Sequence, residues 1–132
     1  MKQILLICAV VALVGCGEEP VVAKKIKSVK APAKELTKED IVGEYEITID
    51  GTTMREVFLE NGIVESYGNG KLTAEGKWKI VDGEIHVKDD DSVSIAVYRI
   101  NTDKSITWIA DIDDGKRTEL SNRHQATYKK IK

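Results

Sequence analysis

Cysteine is nearly absent from this chain. Of its 132 residues, two are cysteines, Cys8 and Cys16, and no thiol occurs beyond residue 16. The region beyond it therefore forms no disulfide, offers no Cys-ligated zinc site and has no thiol nucleophile. Histidine is scarce too. His86 and His124 stand apart, neither with a second His or Cys at ligand spacing. His86 alternates with Ile85 and Val87 and is expected to point outward, and His124 sits in the polar run 121–125. Both read as surface histidines. No G-x-S-x-G or H-E-x-x-H motif occurs, and Gly68-Asn69-Gly70 lacks the Lys-Ser/Thr pair and helix of a phosphate loop. The acidic run Asp111-Ile112-Asp113-Asp114-Gly115 misses the calcium-loop pattern: its glycine comes one place early, and Asn122 stands where the closing Glu is needed. Asp89-Asp90-Asp91 and this run read as solvated turns. The expectation is no catalytic residue, no metal and no cofactor. A hydrolase would require carboxylates with raised pKa values gathered in a cleft, and the sequence singles out none.

Long hydrophobic runs are missing as well. The longest, Ile4 to Val14, has 11 residues, against about 20 for a helix that crosses a bilayer. With Lys2 before it and Gly15 after it, the run has the charged start, short apolar stretch and small residue of a secretory signal. Leu13-Val14-Gly15-Cys16 resembles the lipobox of bacterial lipoproteins. That resemblance implies cleavage before Cys16, lipid on its sulfur and acylation of the new amine. Two or more acyl chains hold a protein stably on a membrane without spanning it. Residue 17 is Gly and not Asp, which by analogy with enteric lipoproteins implies the outer membrane. Residues 1–15 are thus expected to be a signal peptide, and the mature chain to be a lipid-anchored protein of the bacterial cell envelope.

Beyond Cys16 the chain divides by charge. Residues 17–38 hold six lysines and three glutamates, net +3, whereas residues 39–132 hold 13 Lys plus Arg against 19 Asp plus Glu, net −6. Residues 16–38 read as the lipidated cysteine and a basic, flexible tether with no aromatic residue. Val22, Ile26, Val29, Ala33 and Leu36 would share one face of an interfacial helix, but Pro32 interrupts it. Nucleic acid is not an expected partner of so acidic a domain.

All seven aromatic residues lie beyond residue 42. There the pattern has period two. Thr37-Lys38-Glu39-Asp40 reads as a capping box opening one helical turn. Tyr45, Ile47 and Ile49 then alternate with polar residues up to the Asp50-Gly51 turn. Further strands are predicted at 55–59, 63–67, 77–81, 84–88, 92–100, 106–112, 116–120 and 126–131. Gly68-Asn69-Gly70, Asp82-Gly83 and Asp113-Asp114-Gly115 mark turns between them. In one of these strands Ile106, Trp108, Ala110 and Ile112 are expected to share a face. The fold class is all-β: a small antiparallel up-and-down barrel or sandwich of about eight strands over residues 39–132.

Val57-Phe58-Leu59-Glu60-Asn61-Gly62, Gly76-Lys77-Trp78 through Ile85, and Tyr98-Arg99-Ile100-Asn101 resemble small lipid-anchored bacterial proteins with a lipocalin-like β-domain. The resemblance covers about residues 40–131 and implies a barrel-like envelope module with a ligand pocket. Tyr67, Trp78, Tyr98 and Trp108 are the candidates for lining that pocket or filling the core. The leading functional expectation is a non-catalytic β-domain that binds an envelope protein or cell-wall partner, held to the membrane by the acyl chains on Cys16. The alternative is a carrier or sensor of a small apolar ligand.

Overall fold

Four two-residue turns set the architecture. Asp50-Gly51, Asn69-Gly70, Asp82-Gly83 and Asp114-Gly115 have φ near +50° at the first position and near +80° at the second. This is the signature of type I′ turns, whose twist matches that of the flanking strands and which Asn, Asp and Gly tolerate best. They close hairpins whose last pairs are Ile49↔Thr52, Gly68↔Lys71, Val81↔Glu84 and Asp113↔Lys116.

The computed structural model describes residues 34–132. The signal peptide expected at 1–15, the lipidation at Cys16 and the tether up to residue 33 lie outside the described residues. A short helix α1 (Lys38–Ile41) leads into β1 (Gly43–Ile49), β2 (Thr52–Phe58), β3 (Ile63–Gly68), β4 (Lys71–Val81) and β5 (Glu84–Asp89). Then come β6 (Ile95–Ile100), β7 (Ile106–Asp113), β8 (Lys116–Glu119), a 3₁₀ turn (Asn122–His124) and β9 (Ala126–Lys130). The strands form one antiparallel sheet in the order β6-β5-β4-β3-β2-β1-β9-β7-β8, and β6 also pairs with β7. The sheet therefore closes: β1 to β7 and β9 make an eight-stranded barrel, with β8 as an extra strand. Of the two expected architectures, the chain adopts the barrel. Closure protects strand edges that an open sheet would expose. Strands β8 and β9 share one edge of β7, β8 along Ala110–Asp113 and β9 along Ile106–Trp108. Together they act as one strand broken by the 3₁₀ turn.

Three sequence expectations are corrected. Strand β4 begins at Lys71, six residues before the predicted start, because Lys71 to Thr73 are exposed and give no apolar alternation. Strand β6 begins at Ile95, and Ser92 to Ser94 belong to a turn. The third concerns facing. A register shift opposite Val97/Tyr98 pairs Tyr98 with Trp108 but Val97 with Ala110, so Ile109 is one residue too many. Such a bulge reverses the alternation beyond it. Ile106 and Trp108 face the barrel interior, whereas Ala110 and Ile112 join Val97 and Ile109 in a small cluster on the outer face.

One end of the barrel is filled. Tyr45, Phe58, Val64, Ile85 and Ile106 are all buried there, and Ile41 of α1 plugs the opening. Tyr45 packs edge-on against Phe58 at 5.5 Å between centroids, and Phe58 against Trp78 at 5.7 Å. Each polar handle in this layer is satisfied: the Tyr45 hydroxyl donates to the Ile41 carbonyl at 2.7 Å, and Trp78 Nε1 to the Leu59 carbonyl at 3.0 Å. Asp40 supports the plug by accepting from the Thr37 N–H at 3.0 Å.

Candidate functional site

The other end of the barrel is not filled. The same period-two alternation that points Phe58, Val64 and Ile85 inward brings Glu56, Ser66 and Asp89 to the interior nearer the opposite rim. The bulge in β7 adds Asp111, which the uninterrupted alternation would have pointed outward. These residues line a cavity of about 420 Å³ with Val87, Ala96, Tyr98, Trp108 and Tyr128, and with Ser92, Ser94 and Asp113 at its edge. This volume is in the range of small-molecule sites, about 300–1,000 Å³. Gly76 belongs to its supporting wall. A side chain there would put a Cβ 2.4 Å from the Lys88 carbonyl oxygen and 2.6 Å from Asp89 Cα, so only glycine allows β4 and β5 to approach so closely at this point.

The lining has one sign of charge. Glu56, Asp89, Asp111 and Asp113 contribute four carboxylates, and among the described residues no Lys or Arg lines the cavity. Burial, assisted by the charge of Asp89 and opposed by a hydrogen bond from Ser66, pushes the Glu56 carboxyl up to about 7. The Ser66 hydroxyl donates to Glu56 Oε2 at 2.6 Å. Asp89 is also raised, by burial first and then by its neighbours Asp90 and Asp91. Trp108 Nε1 donates to Asp111 Oδ1 at 3.0 Å, and Ser94 Oγ donates to Asp113. Among the described residues, no three His, Cys, Asp or Glu side chains converge closely enough to hold a metal ion. The carboxylates surround a space and do not meet at a point.

Two aromatic residues on the cavity wall, Tyr98 and Tyr128, bring their hydroxyls to it. Tyr98 is 6% exposed and Tyr128 5%, their rings 6.1 Å apart and inclined at 71°. Neither hydroxyl has a hydrogen-bond partner among the described residues. Burial pushes both phenols up, Tyr128 to about 12. A buried polar group without a partner is costly, and these two border the cavity.

The four aromatic candidates separate. Tyr98 and Trp108 line the cavity, and Trp78 is core at the plugged end. Tyr67 faces outward, with the Arg55 guanidinium 5.4 Å from its ring centroid and its hydroxyl donating to Glu65 at 2.8 Å. His86 lies on the outer face, as its alternation predicts, but is largely covered and sits 3.8 Å from Glu84. His124 is exposed on the 3₁₀ turn, 2.9 Å from Ser121 Oγ. Glu56 and Ser66 were missed by sequence reasoning, although each lies two residues from an inward-facing apolar residue. Asp89, Asp111 and Asp113, expected in solvated turns, line the cavity instead, because the alternation in β5 and the bulge in β7 turn them to it. No protein-family model matches the chain, and neither a curated protein nor a solved structure matches it.

Proposed function

We propose that this chain is a lipid-anchored envelope protein whose barrel is a receptor for a small, positively charged organic ligand, such as an alkylamine. The observation that carries this reading is the cavity of about 420 Å³ lined by four carboxylates and, among the described residues, no cation. An ammonium group entering it would relieve the mutual repulsion of Glu56 and Asp89 and meet the π-faces of Tyr98, Trp108 and Tyr128. The unpartnered tyrosine hydroxyls would accept from its N–H groups. An apolar ligand fits this chemistry less well, because it would desolvate the carboxylates without pairing them. Anchoring through Cys16, removal of residues 1–15 and placement at the outer membrane complete the reading, supported by the lipobox-like Leu13-Val14-Gly15-Cys16. An envelope protein or cell-wall partner is accommodated if it presents an amine that enters the mouth.

Native mass spectrometry and calorimetry with putrescine, spermidine and choline test this. We expect a one-to-one complex that weakens at least tenfold in Asp89→Asn and tightens as pH rises through 7, where Glu56 ionises. Absence of any complex at millimolar amine would refute the receptor. A second reading attaches to the same carboxyl, since a Glu near 7 is suited to general acid–base catalysis. Turnover of aryl glycosides or esters that disappears in Glu56→Gln would establish it.

A further inference from the structure

One stretch of the outer wall of β4 and β5, between Glu75 and Glu84, is basic, whereas the mouth is acidic. Lys77 and Lys79 alternate with the inward Trp78 and Ile80, and His86 and Lys88 with the inward Ile85 and Val87. The register places Lys77 directly opposite Lys88 and Lys79 opposite His86. The Lys77 and Lys88 ammonium groups, directly opposed on one sheet face, repel each other. Compensation within the chain is thin: Asp90 lies 4.0 Å from Lys77, and the Lys88 ammonium donates to the Ser92 carbonyl. Glu84, beside His86, is held by Arg117 at 2.7 Å. A groove of about 490 Å³ lies at this wall, with Lys38 of α1, Asn61, Gly62 and Ile95 also among its lining residues. Four lysines and a histidine line it, and among the described residues no carboxylate does. This arrangement stands out in a region, residues 39–132, whose net charge is −6.

We propose that this wall is a docking surface for the phosphate headgroups of an anionic bilayer. Charge complementarity identifies the chemistry, and the chain's connectivity identifies the source. The segment that precedes Lys38 in the chain, residues 17–37, holds five lysines and three glutamates, net +2. Lysines at a bilayer surface act together with such a segment, each contributing about fivefold in binding. The groove and the acidic cavity share no lining residue, so docking leaves the mouth free. The inference rests on the membrane-anchor reading above.

The test is lysine footprinting of the full chain, purified from bacterial membranes and placed in phosphatidylcholine vesicles with or without phosphatidylglycerol. The expected result is that an acetylating reagent modifies Lys77, Lys79 and Lys88 about fivefold more slowly when phosphatidylglycerol is present. Lys71 and Lys116 should react equally in both, and high salt should abolish the difference. The triple variant Lys77→Glu/Lys79→Glu/Lys88→Glu should lose the lipid-dependent protection at Lys38. Equal reactivity of groove and control lysines would overturn the proposal. So would protection by phosphatidylcholine alone, or full protection by inorganic phosphate without vesicles, which would mark a soluble anion site. The intact mass of the same sample reads acylation of Cys16. A missing acyl mass overturns the anchor, while vesicles added to that soluble chain still give the groove its own answer.

Discussion

The two ends of this barrel are built on the same strands by the same alternation, yet they obey different energetics. At the plugged end the inward positions are Tyr45, Phe58, Val64, Trp78, Ile85 and Ile106, and the buried hydroxyl and indole there have partners. At the mouth the inward positions are Glu56, Ser66, Asp89 and Asp111, and two buried tyrosine hydroxyls have no partner among the described residues. One end stabilises the fold by removing apolar area from water. The other retains repelling carboxylates, at a cost in stability that a cation would remove. The apolar layer and the acidic cavity are thus segregated along one axis.

The largest test removes bulk from the plugged end. Phe58 is 1% exposed and bridges Tyr45 and Trp78. Phe58→Ala should cost about 3–5 kcal/mol in urea unfolding. A loss below about 1 kcal/mol would show that this end is not the stabilising layer.

A smaller effect, of opposite sign, is expected at the mouth. Glu56 titrates at about 7 in the folded chain against an ordinary 4.5. Between these values the folded state holds a proton that the unfolded state has released, so stability falls as pH rises from about 4.5 to 7 and stays low above it. Glu56→Gln should therefore stabilise the protein at pH 8 by up to about 3 kcal/mol and leave it unchanged at pH 4. A destabilised variant at pH 8 would show that the carboxylate's favourable contacts, the Ser66 hydrogen bond included, outweigh its burial.

The smallest test makes one change at both ends. Tyr45→Phe deletes a 2.7 Å bond to a buried carbonyl and should cost about 1–2 kcal/mol. Tyr98→Phe deletes a hydroxyl with no partner among the described residues and should be neutral or stabilising by about 1 kcal/mol. Equal losses would mean that the two hydroxyls have equivalent environments, which removes one support for a ligand in the cavity.

Much of the barrel was legible in the chain. Asp50-Gly51, Asn69-Gly70, Asp82-Gly83 and Asp114-Gly115 announce their hairpins because only residues tolerant of positive φ fit type I′ turns. Alternation marked Tyr45, Trp78, Ile85 and Val87 as inward, and Tyr98 and Trp108 were candidate pocket residues that the structure brings together. Polar residues at inward positions were equally visible at Glu56 and Asp89, but a period read only through apolar residues passes over them. Lys71 to Gly76 carried no usable signal, since an exposed strand leaves no stripe.

The strand count, the tight turns, the absence of thiol chemistry beyond residue 16 and the charge division between residues 17–38 and 39–132 could all be read from the amino acids alone, because they depend on local backbone preference and composition. Closure of the sheet, and the sharing of one edge of β7 by β8 and β9, came only from long-range pairing. The same pairing turns Asp111 into the mouth and leaves that end unfilled. The bulge at Ile109 shows why: one extra residue reverses the facing of the rest of β7, and it is defined by pairing with β6, a contact between strands.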